Sequence, residues 1–481
     1  MLEQLAHILT STYAISAEIS LVLGIVILTL LAAFGKKSSA YRTAAWTITL
    51  VITLAAFAFV TQTDANTLSL FNGLFESTAL STFGKELTLI TTLIILIHIK
   101  LMGYDLEAEY YIILIAIVMG LLFLFMANHF LSIFIALEAV SICSYILVAM
   151  DGKSANLEAG IKYLIFGGAS TAFMLFGMSL FFGITGSMNF SSVTFQSQVL
   201  ANPSWAILGA FGLTLAGPLF KLSAAPFHIW APDVYEATPT PLISFLSVAP
   251  KIAAVFLIYK LLLHIPVDAT YLLSFVILLS ILIGNFAAIS QTNAKRMLGY
   301  SGIAQAGFIL IGLLAFQSSG FQASVFYLAI YIFMSTGAFL LLDIIEKQTG
   351  SYKLEDMSGL SRKLIFLSIL GLVFMIGLVG LPPSAGFTAK FLVFSSLYEQ
   401  YTSGGEKVLL WVLVFGLINT AVSIYYYLKI PYFMFLKKPN ESLNEGKVPF
   451  IQMAFLSIIG VLVLALFFAP QWVQDALKTI F

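Results

Sequence analysis

The chain has 481 residues, of which 60% are hydrophobic and 10% are charged, and its mean hydropathy is positive. This composition excludes a soluble globular protein and predicts an integral membrane protein. The 23 basic and 23 acidic residues cancel, so the net charge gives no reason to expect nucleic acid as a partner.

About fourteen apolar stretches follow one another along the chain, most of them close to the ~20 residues that cross the hydrocarbon core. None alternates with a period of two, so we predict an all-α polytopic membrane protein with about 14 transmembrane helices and not a barrel. The stretches are 15–34, 43–61, 87–102, 110–127, 129–150, 162–182, 204–222, 242–263, 270–289, 301–316, 323–343, 365–396, 408–436 and 450–470.

The first stretch follows Glu3 and His7, has no basic region before it and contains Glu18. It therefore predicts a retained helix and not a cleaved signal peptide. We interpret Glu18, like His98 in the third stretch, as a structural residue. The single cysteine, Cys143, lies inside an apolar stretch, which excludes an intramolecular disulfide and a cysteine metal site.

Basic residues between the stretches fall mainly on one side of the predicted bundle. Alternate loops contain fifteen of them, and the opposite side holds only Lys85, Lys407 and Lys478. Cytoplasmic loops carry the excess of Lys and Arg, so we predict that both termini lie on the outer side of the membrane. The loops are too short for a nucleotide-binding domain, which places any soluble partner chemistry on other chains.

Five ionisable residues lie in or at the edge of apolar stretches where lipid-facing charge is disfavoured. Inserting an ionised side chain at mid-bilayer costs roughly 3 kcal/mol, and such residues usually face the interior of a helix bundle or a water-filled path. The pattern therefore predicts proton or cation transport. The candidate residues are Glu138, Lys162, Lys221, Lys251 and Lys390.

The candidates carry different alternatives. Burial disfavours the charged form of lysine and of glutamate, and a nearby opposite charge restores it. We predict that Glu138 and Lys221 form such a pair, with a static structural ion pair as the alternative. Lys162 follows Glu158 by four residues and has the alternative of a boundary lysine that snorkels to the membrane surface, which is also our interpretation of Lys260.

Two of the apolar stretches contain helix breakers beside a lysine. Gly217-Pro218 precedes Lys221 and Pro382-Pro383 precedes Lys390, and each lysine ends a Gly-x-x-x-Lys sequence. Proline removes a backbone donor and clashes with the preceding turn, so we predict discontinuous seventh and twelfth helices. Matched interrupted segments in two halves are typical of inverted repeats with the transport path between them.

The predicted division of the chain follows from these repeats. An odd number of spans inverts a second copy, and five spans followed by five fit this requirement. We predict an N-terminal three-helix segment, a first five-helix repeat, a second inverted five-helix repeat and a C-terminal helix with a tail. Their ranges are 1–109, 110–263, 264–436 and 437–481.

Two further residues near the breaks have open interpretations. His228 follows the first break, and a near-neutral pKa is usual for histidine, so a relay role and a structural role are both open. Pro250 directly precedes Lys251 and either loosens the backbone there or only kinks the helix. The sequence has no phosphate loop, dinucleotide fingerprint or cysteine cluster, so we expect no redox cofactor and no metal in this chain.

Longer motifs resemble one family. The stretch Lys221–Pro241, which contains Pro-Asp-Val-Tyr-Glu-Ala-Thr-Pro-Thr-Pro, is similar to the signature of the antiporter-like membrane subunits of proton-translocating NADH-quinone oxidoreductase (respiratory complex I), and in particular of subunit N. The segments around Pro250-Lys251, Arg296-Met297 and Gly380–Lys390 carry the same resemblance. It covers essentially the whole chain.

The resemblance implies roles for the site residues. Glu138 looks like the fifth-helix glutamate, Lys162 like the sixth-helix lysine and Lys221 like the partner of Glu138. Lys251 looks like the central lysine and Lys390 like the terminal residue of the path. Relatives often place histidine where this chain has Gln305, which puts a relay role for that position in doubt.

The resemblance also implies a setting. A subunit of this kind moves protons while other subunits oxidise NADH and reduce quinone, and those subunits would hold FMN and iron–sulfur clusters. The expected partners are a neighbouring antiporter-like subunit, small membrane subunits and the lipid bilayer, in a bacterial inner membrane. The alternatives are a subunit of a multisubunit cation/proton antiporter, which shares the fold, and a purely structural membrane scaffold.

Overall fold

The computed structural model describes residues 11–62, 67–316, 318–439, 448–478 and 480, and these residues are almost entirely helical. Glu3, His7 and Lys447 lie outside the described residues. Two short strands, β1 (Leu68–Leu70) and β2 (Phe75–Ser77), form an antiparallel hairpin in which Leu70 pairs with Phe75. The helices are α1 (Ser16–Phe34), α2 (Ser39–Gln62), α3 (Ala79–Met102), α4 (Ala108–Met126), α5 (Phe130–Ala149), α6 (Ser154–Thr185), α7 (Val193–Ala201), α8 (Ser204–Thr214), α9 (Ala216–Leu222), α10 (Ala231–Ala237), α11 (Thr240–Leu246), α12 (Ala249–His264), α13 (Thr270–Ile289), α14 (Ala294–Leu314), α15 (Ser318–Thr349), α16 (Ile365–Val379), α17 (Ala385–Thr402), α18 (Lys407–Tyr427), α19 (Lys429–Leu436), α20 (Phe450–Phe468) and α21 (Gln471–Lys478).

Thirteen helical segments among the described residues are long and apolar enough to cross a membrane. The remaining predicted stretch, 365–396, is divided between α16 and α17. The prediction of an all-α polytopic membrane protein is therefore confirmed, and the chain is a multi-pass membrane protein. The hairpin of β1 and β2 lies in a polar stretch where the sequence showed no strand pattern.

The helix interruptions fall partly where proline predicts them. In the twelfth stretch α16 ends at Val379 and α17 begins at Ala385, with Pro382 and Pro383 between them. In the seventh stretch the interruption is at Leu215, because Pro218 occupies the first turn of α9, where a missing N–H breaks no helical hydrogen bond. The longer non-helical segment follows Lys221 and does not precede it.

The eighth stretch is also interrupted, at the place where the sequence left open whether Pro250 loosens the backbone or only kinks the helix. The helix α11 ends at Leu246 and α12 begins at Ala249, so Pro250 and Lys251 lie in the first turn of a new helix. Pro250 has no N–H to donate to the carbonyl of Leu246, four residues earlier. The interruption therefore leaves backbone polar groups directly before Lys251.

Close packing divides the chain into two compact units. The first comprises Met1–Lys221 and Ala249–Asp268, and the second comprises Leu222–Val248 and Ala269–Thr479. In the first unit α4 packs against α1, α3, α5 and α12, and in the second α14 packs against α13 and α15. These two units do not coincide with the predicted ranges 1–109, 110–263, 264–436 and 437–481, which were based on repeat symmetry. The inverted repeat stays a prediction.

Candidate functional site

Lys221 lies in the first unit, at the end of α9, and is only 3% exposed. Three aromatic rings surround its ammonium. The Nζ atom is 5.6 Å from the ring centroid of Tyr145, 5.5 Å from that of Tyr163 and 5.6 Å from that of Phe220. Ring faces attract a cation at such distances, by about 2 kcal/mol or more when the cation is desolvated. The rings therefore form a cage that tolerates a positive charge without fixing it in a hydrogen bond.

Glu138 lies in the same unit on α5 and is partly buried. One of its carboxylate oxygens accepts a hydrogen bond of 2.5 Å from the Thr171 hydroxyl on α6. Lys221 Nζ has no hydrogen-bond partner among the described residues. Glu138 and Lys221 therefore make no direct hydrogen bond with each other, and their role as a coupled pair stays a prediction.

Gly167 on α6 provides the space for the cage. A Cβ atom at this position would lie 1.7 Å from the Tyr145 hydroxyl oxygen and 3.1 Å from the Phe220 ring. The Tyr145 and Phe220 rings that such a Cβ would meet are the ones that lie beside the Lys221 ammonium. Glycine is required here by the close approach of a neighbouring side chain.

We expect Gly167→Ala to reduce proton transport because the added methyl displaces Tyr145 from Lys221. Overpacking of this kind costs about 1–3 kcal/mol, which also lowers the melting temperature of the purified protein. The matched control is Gly168→Ala, where an added Cβ meets no atom within 4 Å. Proton transport measured in vesicles should fall for the first variant only, and equal transport by both variants would show that the cage has no part in transfer.

Lys251 lies in the first turn of α12 and has no exposed surface. Its helix packs against α3 and α4. The neighbouring residues of α12, Ile252, Ala253 and Ala254, are equally buried and apolar. A lysine in this position is retained at a cost in free energy, which is typical of residues that transfer charge.

Lys390 lies in the second unit on α17 and is 4% exposed. Its Nζ donates a hydrogen bond of 2.7 Å to the backbone carbonyl of Val379, the last residue of α16, and lies 4.1 Å from the ring centroid of Phe308. The intervening Gly380 has a φ of +84°, and a Cβ there would lie 2.8 Å from Lys390 Cδ. The broken helix therefore supplies the carbonyl that binds the ammonium.

Lys162 and His228 occupy less buried places. The Lys162 side chain is 40% exposed and its Nζ lies 2.7 Å from Glu158 on the same helix, as the alternative of a boundary lysine requires. His228 is half-buried in the non-helical segment before α10, in the second unit, and its Nδ1 has no hydrogen-bond partner among the described residues. A relay role for either residue stays a prediction.

Gln305 is part of a buried network of neutral side chains in the second unit. Its amide nitrogen donates to the backbone carbonyl of Leu378 at 2.8 Å and to the Tyr427 hydroxyl oxygen at 2.9 Å. Its carbonyl oxygen accepts a hydrogen bond of 2.5 Å from the Tyr327 hydroxyl. Leu378 directly precedes the residue whose carbonyl binds Lys390, so Gln305 positions the end of α16 on which Lys390 depends.

The structure corrects the sequence interpretation of Lys85 as a loop residue. Lys85 is not in a loop but on α3, where its Nζ lies 2.6 Å from Glu18 Oε1 on α1. Both side chains are at most 5% exposed. The polar residues Ser81, Lys85, Thr88 and Thr92 recur at helical spacing in the sequence, and this pattern was the available signal for a buried polar face.

No group of three or more His, Cys, Asp or Glu side chains in the described part of the chain is arranged to hold a metal ion. The expectation that this chain has no cofactor stays a prediction.

A family model described as NADH:quinone oxidoreductase/Mrp antiporter, transmembrane, matches residues 127–420. The chain belongs to this family. Its members include NADH-quinone oxidoreductase subunit N 2 of Chloroherpeton thalassium, which is 36% identical over 397 residues covering 77% of this chain and 75% of that protein. The matched region contains every one of the predicted site residues.

Solved structures of the NADH:quinone oxidoreductase/Mrp antiporter family have the same fold. A chain of respiratory complex I from Thermus thermophilus, solved with bound aureothin, is 32% identical with a TM-score of 0.80 and covers 96% of this chain and 99% of its own length. A chain of the Mrp complex from Dietzia sp. DQ12-45-1b has a TM-score of 0.84 at 18% identity, with 98% and 97% covered. The second similarity concerns the fold alone.

Proposed function

We propose that the chain is a proton-translocating membrane subunit of an NADH-quinone oxidoreductase, related to subunit N. The observation that carries the proposal is the burial of three lysines, Lys221, Lys251 and Lys390, each within a few residues of a helix interruption. Interrupted helices expose backbone carbonyls inside a membrane only where the interior is polar or water-filled. Protons would pass along these lysines with Glu138 as the acidic partner of Lys221, and Lys162 and His228 as further candidates.

In this proposal the redox chemistry belongs to other chains. NADH, FMN, iron–sulfur clusters and quinone would be bound by partner subunits, and this chain would carry no redox centre. A neighbouring antiporter-like subunit and small membrane subunits would cover its exposed apolar faces. The chain would lie in a bacterial inner membrane, and the excess of basic residues in alternate loops supports both termini on the outer side.

The second candidate is a subunit of a multisubunit cation/proton antiporter. The Dietzia Mrp chain favours it by fold, since its TM-score is 0.84, but its identity of 18% is well below the 32% of the Thermus thermophilus chain. The two candidates differ in the assembly that contains the chain. They share the buried lysines, so those lysines do not separate them, whereas the sequence Pro232–Pro241 favours the first.

Co-purification separates the two candidates. We expect affinity-tagged chain, extracted in mild detergent, to elute with NADH:quinone reductase activity and with flavin-containing subunits. The same preparation, reconstituted in vesicles, should acidify the lumen when NADH and quinone are supplied. A preparation that lacks NADH oxidation and instead exchanges Na⁺ for protons would establish the antiporter candidate.

A further inference from the structure

A buried ion pair lies outside both the predicted path and the residues that the family model matches. Lys85 on α3 and Glu18 on α1 approach to 2.6 Å, and the Lys85 ammonium also lies 3.1 Å from Met126 Sδ at the end of α4. Among the described residues the Glu18 carboxylate accepts no hydrogen bond apart from this ion pair. A carboxylate with a single partner can exchange a proton with that partner without breaking other bonds.

The ion pair begins a polar face of α3. Thr88, Thr91, Thr92 and His98 follow Lys85 at spacings that keep them on one side of a helix, and all four are at most 1% exposed. The hydroxyls of Thr91 and Thr92 donate to carbonyls of their own helix at 2.8 Å. The Thr88 hydroxyl has no hydrogen-bond partner among the described residues, so it is available for another donor or acceptor.

Ring contacts place Thr88 at about the depth of Lys251. A Cβ at Gly84 would lie 2.5 Å from the Phe125 ring, which in turn lies edge to face 5.2 Å from the ring of Phe256 on α12. Phe256 follows Lys251 by five residues, or about 7.5 Å of helix, and Thr88 follows Gly84 by four residues, or about 6 Å.

The two helices run in opposite directions. Lys260 near the end of α12 lies 3.9 Å from Glu76, just before the start of α3. Thr88 on α3 and Lys251 on α12 therefore lie in the same direction from the level of Gly84 and Phe256. Since α3 and α12 pack together, Thr88 and Lys251 lie on the same side of the Gly84–Phe256 level and at similar distances from it.

We propose that α3 carries a proton path from Lys251 through the Thr88 hydroxyl to the Lys85–Glu18 pair, and from there to the membrane face at which α1 and α3 begin. This inference rests on the proposed function. In the first step the Lys85 ammonium gives a proton to the Glu18 carboxylate, and the resulting carboxylic acid releases that proton to the membrane face. In the second step the neutral Lys85 amine accepts a proton through the Thr88 hydroxyl, which takes one proton from the Lys251 ammonium while it donates its own.

These two steps balance. One proton leaves Lys251, one proton appears at the membrane face, and Lys85 and Glu18 return to the charged pair. Desolvation disfavours both charged partners inside a membrane, so the neutral pair is accessible as an intermediate. Under the orientation proposed above, this face is the outer one.

The test uses Thr88→Val, Thr88→Ser and Thr49→Val in the reconstituted complex, with proton uptake normalised to NADH oxidation. Valine has nearly the shape of threonine but no hydroxyl, so Thr88→Val should lower the proton-to-NADH ratio to the value of Lys251→Met, and Thr88→Ser should keep the wild-type ratio. Thr49 on α2 is equally buried, and its hydroxyl bonds its own helix, so Thr49→Val should pump like the wild type.

A structural role predicts a different outcome. Since the Thr88 hydroxyl has no described partner, its removal should then leave both assembly and pumping unchanged. Wild-type pumping by Thr88→Val together with lost pumping in Lys251→Met would overturn the path and leave the proposed function intact. Wild-type pumping in Lys251→Met as well would instead overturn the proposed function.

A double variant tests the proposed path if Thr88→Val assembles poorly. Replacing both Glu18 and Lys85 by leucine removes a buried ion pair as a unit, which is often neutral or stabilising, whereas removal of one partner leaves an unpaired charge. The double variant should therefore assemble and show the reduced ratio of Lys251→Met. An assembled double variant that pumps like the wild type would overturn the path.

Discussion

Replacing Lys221 by alanine is expected to leave the complex assembled and to impair NADH-driven proton pumping. Assembly should survive because Lys221 Nζ makes no hydrogen bond with the described residues, so its removal leaves no donor or acceptor unsatisfied. Glu138 keeps its hydrogen bond from Thr171 and is only partly buried. What is lost is the cation within the cage of Tyr145, Tyr163 and Phe220.

The expected effect on transport is large. Side chains that transfer protons typically contribute about 10²–10⁴-fold to a rate, so the protons that pass through Lys221 should no longer cross. The measurement is vesicle acidification together with NADH oxidation in the same preparation. The control is Lys407→Ala, because Lys407 is the exposed first residue of α18. Normal pumping and normal NADH turnover in an assembled Lys221→Ala complex would contradict the proposed role of Lys221 and Glu138 as a coupled pair.

Much of the helical framework could be predicted from the sequence because each span is a long apolar run. The interruptions were harder to predict, since proline disrupts the interior of a helix but is tolerated in its first turn. Pro382 and Pro383 mark the interruption between α16 and α17, whereas Pro218 and Pro250 lie inside the first turns of α9 and α12. Sequence alone does not say which turn a proline will occupy.

The buried lysines could be predicted because an apolar run with one charge is conspicuous. Their partners could not, since these come from other helices. Lys251 and Lys390 were identified as deep residues, but the carbonyl of Val379 that binds Lys390 follows from the folded break. Lys85 was assigned to a loop because the apolar stretch begins at residue 87, whereas the helix α3 begins at Ala79.

Gln305 shows a further limit of the sequence. As an uncharged residue where relatives often place histidine, it was an argument against a relay at that position. In the structure its amide group makes hydrogen bonds with Leu378, Tyr427 and Tyr327, which link it to the end of α16. The hydrogen-bond partners that decide between relay and support are distant in sequence.

Lys390→Arg is expected to impair proton transfer nearly as much as Lys390→Ala. Arginine keeps the positive charge and can donate to the carbonyl of Val379, but it hardly deprotonates. From the ordinary pKa values of the two side chains, its neutral fraction is at least about 100-fold smaller than that of lysine. A relay residue must release its proton before it can accept the next one. Arginine cannot release its proton and alanine has none to transfer, so both variants should lose this step.

The comparison distinguishes a relay from a fixed charge at Lys390. Moving each proton against the membrane potential costs about 2.3 kcal/mol per 100 mV, and coupling to distant redox chemistry must supply this free energy. Because the relay step is lost in both variants, both should oxidise NADH with a lower proton-to-NADH ratio. Lys390→Met, which keeps the unbranched side chain beside Phe308 without a titratable group, should behave in the same way and serves where the guanidinium prevents assembly. Pumping retained by the arginine variant but lost in the alanine and methionine variants would show that Lys390 supplies only a fixed positive charge, because arginine keeps the charge and a donor for the carbonyl of Val379 but hardly releases a proton.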